Sequence, residues 1–175
     1  MKTNIALIGF MGAGKSTIAE LLALELDKQA VELDKLIELR AGKPITAIFK
    51  DDGEDAFRRL EIELTREIAT GDNRVISCGG GIVLNSINID RLKEKGVVVY
   101  LQSSADVLHK RIVGKDIERP LLKDDNSLQT VKKMMRARQP LYEKAADIVI
   151  DTSEIDSSAT VELIMERLKD YEGFS

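Results

Sequence analysis

Short apolar runs alternate along the chain with longer stretches in which apolar and polar residues recur at helical spacing. The runs are compact and several are rich in β-branched residues, which predicts buried strands. In the longer stretches, positions such as Phe57, Leu60 and Leu64 form the apolar stripe of an amphipathic helix. The predicted strands are 4–8, 30–34, 74–78, 96–101 and 147–151, and the predicted helices are 16–26, 35–40, 45–49, 53–70, 86–95, 104–112, 127–146 and 157–171.

This alternation is typical of α/β proteins, in which helices connect strands that run parallel. The segment GVVVYL at 96–101 is apolar throughout, as expected for a strand that is buried on both faces of its sheet. A chain of 175 residues is expected to form one domain. The sequence therefore predicts an α/β fold with a five-stranded parallel sheet and helices on both faces, a three-layer sandwich.

The segment GFMGAGKS at 9–16 fits the phosphate-binding pattern G-x-x-x-x-G-K-[ST]. Its glycines let the backbone turn tightly, so that N–H groups point at phosphate oxygens. In such a loop Lys15 reaches the β- and γ-phosphates, and the hydroxyl of Ser16 holds Mg²⁺. A plain turn between a strand and a helix needs neither side chain, so the segment predicts a nucleotide site.

Charge and cysteine content narrow the possible partners and location. The chain has 26 Lys and Arg against 30 Asp and Glu, a net charge of −4, so no basic excess indicates nucleic acid. Any anionic ligand must then be held by local arginines. Cys78 is the one cysteine, which fits a reducing cytoplasm. No apolar run approaches the ~18 residues that cross a bilayer, so we expect a cytoplasmic protein with no membrane partner.

Carboxylates stand at the end of the second predicted strand. Glu32 and Asp34 are two residues apart, which places both on one face of a strand. Ligands of open α/β sheets bind at the carboxyl ends of the strands, so Asp34 is expected near the phosphate-binding loop. Alternatively, Asp34 caps the helix predicted at 35–40. The spacing alone does not decide between these two interpretations.

Three other features are candidates for the same site. The glycines 79–81 follow a predicted strand, where they favour close approach of the backbone to a ligand over a flexible loop. Arg58 and Glu61 are helical neighbours, so Glu61 can orient the guanidinium, although an isolated pair of this kind is more often on the surface. Arg119 lies in the charged segment 113–126, which predicts either a lid or a solvated cluster.

Along nearly its whole length the chain resembles the shikimate kinase family. The phosphate-binding loop alone indicates only a superfamily, whereas F-R-x-x-E, G-G-G, R-P-L-L and R-x-P-L-Y in this order are specific. The resemblance implies a P-loop fold of the nucleoside monophosphate kinase type, a single kinase domain over 1–175 with a substrate-binding insert at about 34–61 and a lid at about 113–125. The matching segments are GFMGAGKST at 9–17, Asp34, DDGEDAFRRLE at 51–61, CGGG at 78–81, ERPLL at 118–122 and RARQPLYEKAADIVIDT at 136–152.

The reaction that this resemblance implies is ATP-dependent phosphorylation of the 3-hydroxyl of shikimate, with Mg²⁺, on the route to chorismate and the aromatic amino acids. The partners would be the two small substrates, and the protein a monomer. A related kinase for gluconate or a nucleoside monophosphate is the alternative. A GTP switch is disfavoured because the N-K-x-D guanine motif is absent, and a binding module because Lys15, Ser16 and Asp34 are intact.

The resemblance also implies a role for each site residue. Asp34 would act as base or orienter of the reacting hydroxyl, while Lys15 and Arg119 would supply positive charge to the transferred phosphoryl group. Position 32 departs from the family, which usually has Asp there, and Ser153-Glu154-Ile155 replaces the Arg and Pro that relatives often place near adenine. The implied ligand sets are Gly12, Ala13, Gly14, Lys15, Ser16, Thr17, Arg111 and Arg119 for ATP; Asp34, Arg58, Gly79, Gly80, Gly81 and Arg138 for shikimate; and Ser16 and Glu32 for Mg²⁺.

Overall fold

A computed structural model describes residues 1–113 and 127–175. The described residues form five strands and eight α-helices, with a short 3₁₀ helix at Ile82–Leu84. The strands are β1 Asn4–Ile8, β2 Gln29–Glu32, β3 Arg74–Ser77, β4 Gly96–Gln102 and β5 Ile148–Asp151. The helices are α1 Lys15–Glu25, α2 Leu33–Ala41, α3 Ile45–Asp51, α4 Glu54–Ala69, α5 Ser86–Lys95, α6 Ala105–Val113, α7 Leu128–Ala145 and α8 Ser157–Lys169.

The five strands form one parallel sheet in the order β2-β3-β1-β4-β5. Strand β1 is central, with Ile5 opposite Val75 of β3 on one side and Val97 of β4 on the other. Every residue of β1 is buried, so helices must cover both faces of the sheet there. Helix α1 packs on β2 and β3 and against α8, which packs on β5, whereas α5 and α7 pack on β4. The predicted five-stranded α/β fold is confirmed.

The helix bounds agree with the apolar pattern to within a few residues, and α5 has the predicted limits. Helix α7 starts after Ser127, whose Oγ accepts a hydrogen bond from the Thr130 N–H at 3.2 Å, and it continues through Pro140. Helix α8 is capped by Asp156, whose Oδ1 accepts from the Ala159 N–H at 2.8 Å. Over the described residues, no helix combines the length and apolar character needed to cross a membrane.

The chain turns from strand to helix earlier around Asp34 than the sequence predicts. Strand β2 ends at Glu32, and α2 begins at Leu33, whose side chain is fully buried. Asp34 therefore lies in the first turn of α2, where the helix dipole favours an acidic residue. The two predicted positions were wrong, because Asp34 neither shares a strand face with Glu32 nor stands at the cap position, which Glu32 occupies. The expected proximity of Asp34 to the phosphate-binding loop holds, since the charge of Lys15 acts on its carboxylate.

The predicted lid at 113–125 lies, apart from Val113, outside the described residues, and so does Arg119.

Candidate active site

The glycine loop between β1 and α1 has the conformation of an anion-binding loop. Gly12 and Gly14 have φ of 81° and 86°, a region that side-chain-bearing residues rarely adopt, and Gly14 precedes the first residue of α1. Lys15 folds back over the loop, and its Nζ donates to the Gly9 carbonyl at 2.9 Å and to the Phe10 carbonyl at 3.0 Å. The result is a helix N-terminus that has no side-chain cap from the described residues on its first N–H groups, with an ammonium group beside them.

A groove of about 440 Å³ opens next to this loop, within the size range of small-ligand sites. Arg111 lines it, and its Nη2 donates to the Thr152 carbonyl at 3.4 Å. Of the positions where the sequence departs from the family pattern near adenine, Ile155 lines the groove. The lining residues are Gly12, Ala13, Gly14, Thr17, Ile18, Arg111, Thr152, Ile155, Asp156, Ser157 and Thr160.

Asp34 presents a buried carboxylate oxygen that has no hydrogen-bond donor among the described residues. Burial raises the pKa of Asp34 above its ordinary 3.8, and the charge of nearby Lys15 opposes that rise. The backbone of Gly79 lies against this oxygen, because a Cβ at position 79 would be only 2.8 Å from Oδ1. An oxygen with open lone pairs in this setting can accept a proton from a ligand hydroxyl.

Arg58 and Glu61 of α4 form an ion pair in which Glu61 is buried and Arg58 is half-buried. The Arg58 Nη1 is 2.9 Å from Glu61 Oε2 and 3.1 Å from Oε1, and the Glu61 side chain is 1% exposed. On its other edge the guanidinium donates to Glu54 Oε1 from Nη2 at 3.2 Å and from Nε at 3.3 Å. Burial raises the pKa of Glu61, and the adjacent Arg58 opposes that rise. Glu61 therefore holds Arg58 in one orientation, and the surface alternative for this pair is excluded.

The glycines 79–81 give the site's own side chains the space they need. A Cβ at Gly81 would lie 2.5 Å from both terminal nitrogens of Arg58, just as one at Gly79 would meet Asp34. A Cβ at Gly80 would be 3.4 Å from the Met11 N, so this residue packs on the phosphate-binding loop. The φ of Gly81 is −96°, which any residue can adopt. Close approach, and not an unusual backbone angle, therefore accounts for these glycines.

Arg138 reaches the same glycines from α7. Its Nη1 lies 3.5 Å from the Gly80 carbonyl, which also accepts a hydrogen bond from the Tyr142 hydroxyl. Arg138 is 9% exposed, and its charge acts on buried Glu61. The structure thus brings Asp34, Arg58 and Arg138 around one glycine segment, although they come from three different helices.

The residues that the resemblance assigns to Mg²⁺ lie at the carboxyl ends of β2 and β3. Ser16 Oγ is 3.5 Å from the Ser77 Oγ, and both serines line a groove with Glu32. Glu32 Oε2 is 2.6 Å from Lys35 Nζ. The described ranges contain no cluster of three or more His, Cys, Asp or Glu suited to a metal ion. The oxygen donors here suit a hard cation that takes most of its ligands from a bound polyphosphate and water.

Sequence reasoning missed the contribution of Tyr142. This tyrosine is four residues after Arg138, a spacing that places both side chains on one face of α7. That spacing was an available signal, but Gly80, which both side chains contact, is distant in the sequence.

Known proteins match this sequence over nearly its whole length. The family model "Shikimate kinase" matches residues 11–169. The shikimate kinase of Dehalococcoides mccartyi is 41% identical over 174 residues, which cover 99% of this chain and 98% of that protein.

Solved structures are similar over the same extent. Shikimate kinase from Acinetobacter baumannii in complex with shikimate has a TM-score of 0.92 and 31% identity, covering 99% of this chain and 96% of that one. The enzyme from Aquifex aeolicus has a TM-score of 0.82 and 34% identity, covering 95% of this chain and 96% of that one.

Proposed function

The chain belongs to the shikimate kinase family and is a shikimate kinase, and we propose that Asp34, Arg58 and Arg138 hold shikimate in front of ATP. The reaction transfers the terminal phosphoryl group of ATP to the 3-hydroxyl of shikimate. The observation that carries the assignment of residues is the buried Asp34 oxygen without a hydrogen-bond donor among the described residues. This oxygen lies against the glycine segment, and the charge of Lys15 acts on its carboxylate.

ATP binds in the groove beside the phosphate-binding loop. The backbone of residues 12–17 supplies N–H donors to the phosphates, and Lys15 leaves its loop carbonyls for the β- and γ-oxygens. Arg111 lines this groove, and its planar guanidinium can pack on the adenine ring. Residues 1–175 act in this proposal as a single kinase domain, with 34–61 as the substrate-binding segment.

Mg²⁺ is the metal that this donor set fits. Ser16 Oγ would bind it directly, and Glu32 would do so directly or through water, after its carboxylate has exchanged Lys35 for the ion. When bound, the ion neutralises charge on the β- and γ-phosphate oxygens.

The shikimate carboxylate lies between Arg58 and Arg138. A guanidinium presents parallel N–H donors that match the two oxygens of a carboxylate, so this pair suits a small organic acid. Glu61 and Glu54 hold Arg58 from two edges of its guanidinium, which leaves it oriented before the substrate arrives. Arg119 lies outside the described residues, and its role at the phosphates stays a prediction from the sequence.

The transfer step then needs one proton acceptor and alignment of the 3-hydroxyl with the γ-phosphorus. The oxygen of the 3-hydroxyl forms a bond to the γ-phosphorus while Asp34 takes the proton of that hydroxyl. The bond from the γ-phosphorus to the leaving ADP oxygen breaks. The proton stays on Asp34 until product leaves. Phosphoryl transfer needs little covalent work from the protein, so positioning by the arginines and neutralisation by Lys15 supply most of the catalysis.

The direct test is coupled ADP release with shikimate as the sole acceptor. We expect turnover with shikimate and none above background with gluconate or AMP at the same concentrations. Because water is the competing acceptor, the assay without any acceptor gives the background rate. Equal rates with and without shikimate would contradict the proposed function.

Replacing Arg58 or Arg138 with lysine is expected to raise the shikimate KM about 10–100-fold, since each loses a charge-assisted hydrogen bond of the fork. The ATP KM should change little. Arg40→Lys is the matched control, because the pairs that Arg40 forms with Glu63 and Glu67 are exposed. An unchanged shikimate KM in both site variants would mean that the carboxylate binds elsewhere.

We expect kcat/KM for shikimate to fall at acid pH. Only ionised Asp34 accepts a proton, and burial raises the pKa of Asp34, so activity falls as pH drops through a value above 3.8. The pKa of Glu61 is also raised, and Glu61→Gln separates the two groups because it should keep this acid limb. A profile that stays flat to pH values well below the ordinary pKa of aspartate would exclude Asp34 as the base.

We also propose that the enzyme works as a monomer in the cytoplasm, without nucleic acid or membrane partners. The free thiol of Cys78, which is 2% exposed, and the acidic charge balance support this setting.

A further inference from the structure

The hydroxyl of Tyr142 is a buried polar group at the active site to which the reaction assigns no role. It donates a hydrogen bond to the carbonyl of Gly80, the central residue of the glycine segment 79–81, which lies against Asp34 and Arg58. The tyrosine is 1% exposed and comes from α7, one helical turn after Arg138. The same side chain therefore contacts the glycine segment and neighbours one of the two arginines of the site.

Packing fixes the position of this hydroxyl. The ring of Tyr142 stacks on the ring of Tyr100 in β4, with centroids 5.0 Å apart and an angle of 19° between the planes. Burial raises the pKa of Tyr142 to about 12, so the phenol keeps its proton at every pH at which a kinase is assayed. It is a permanent donor aimed at one backbone carbonyl.

The Gly80 carbonyl has a second donor, Arg138, but that contact is weaker. The Arg138 Nη1 is 3.5 Å from the oxygen, at the limit of a hydrogen bond. Without the tyrosine hydroxyl, this half-buried carbonyl would draw the guanidinium towards itself, because an acceptor that is shielded from water and lacks a donor is costly. The donors of Arg138 would then be partly used inside the protein.

We propose that Tyr142 is a positioning residue for shikimate. By satisfying the Gly80 carbonyl it fixes the glycine segment against Asp34 and Arg58, and it leaves the guanidinium of Arg138 available for the substrate carboxylate. This inference rests on the proposed binding of shikimate by Arg138. It concerns binding of the acid and assigns Tyr142 no part in the transfer step.

Tyr142→Phe tests the proposal, because it removes the hydroxyl and keeps the stacked ring. We expect the shikimate KM to rise about tenfold, with kcat and the ATP KM within about threefold of the wild type. Tyr100→Phe is the matched control: it alters the partner ring of the same stack, and the Tyr100 hydroxyl makes no hydrogen bond within the described residues. Its shikimate KM should stay at the wild-type value.

A double-mutant cycle shows whether Tyr142 acts through Arg138. In an Arg138→Lys background, Tyr142→Phe should raise the shikimate KM by clearly less than it does alone, since coupled neighbours are not additive. Calorimetric titration with shikimate, at a temperature at which all variants are folded, gives the same comparison without turnover.

The possible results separate this inference from the proposed function. A wild-type shikimate KM in Tyr142→Phe, equal losses in kcat and both KM values, or full additivity with Arg138→Lys would each overturn the role of Tyr142. Failure of the wild-type protein to phosphorylate shikimate would instead overturn the proposed function itself.

Discussion

Asp34→Asn is expected to lower kcat about 10²–10⁴-fold, the range typical for loss of a general base. Asparagine fills the same space but cannot accept the proton of the 3-hydroxyl. Because the phosphate-binding loop and its groove are unchanged, the affinity for ATP should remain. Single-turnover kinetics with saturating ATP and shikimate measures the loss in the chemical step directly.

The folded state supplies the control for this variant. Burial raises the pKa of Asp34 in the folded protein above that in the unfolded chain. Protonation of Asp34 therefore stabilises the folded protein at low pH, and this stabilisation is lost as the pH rises through the folded-state pKa. At neutral pH a neutral asparagine removes the cost of burying a charged carboxylate. The melting temperature of Asp34→Asn should therefore equal or exceed that of the wild type. Asp55→Asn, at an exposed position of α4, controls for loss of one negative charge. Near-normal turnover in Asp34→Asn would remove Asp34 from the chemistry.

The strands and the phosphate-binding loop were predictable because their signals are local. Strand β4 is apolar from Gly96 to Leu101, and an unbroken apolar run of this length is typical of a strand in the middle of a parallel sheet. In the loop, glycine at positions 12 and 14 meets a backbone requirement that is visible in the sequence itself, since both residues adopt positive φ. Signals within one turn or one strand need no knowledge of the remaining chain.

The environment of the carboxylates was not predictable in the same way. A surface pair was the favoured interpretation of Arg58 and Glu61, yet Glu61 is 1% exposed on its side chain. Its burial depends on α4 meeting the glycine segment after β3, and this contact is tertiary. The turn at Asp34 is similar, because only the burial of Leu33 decides where β2 ends and α2 begins.

The role of the glycine segment was predictable from the sequence only in part. Three consecutive glycines indicated close approach of the backbone, and that much followed from the sequence. The neighbours that require it, which are the Asp34 carboxylate and the Arg58 guanidinium, come from α2 and α4 and could not be named from spacing. A resemblance to a family supplied those residues, whereas physical reasoning on isolated motifs would have left them as separate surface charges.

Lys15→Met is expected to lower kcat about 10²–10³-fold, the loss seen when one group that stabilises developing charge is removed. Methionine keeps much of the aliphatic stem and deletes the ammonium that neutralises the transferred phosphoryl group. The loss in kcat should exceed the loss in ATP affinity, since the backbone donors of the loop still bind the phosphates of the ground state.

Two measurements decide how this result is interpreted. In the folded chain the ammonium also donates to the Gly9 and Phe10 carbonyls, so Lys15→Met is expected to lower the melting temperature as well. Rates are therefore compared well below the melting temperature, with Lys50→Met on the exposed face of α3 as the charge control. Calorimetry with ADP measures the ground state separately. If the affinity for nucleotide fell as far as kcat, Lys15 would hold ATP without selective stabilisation of the transition state, and the neutralising charge would have to come from another residue.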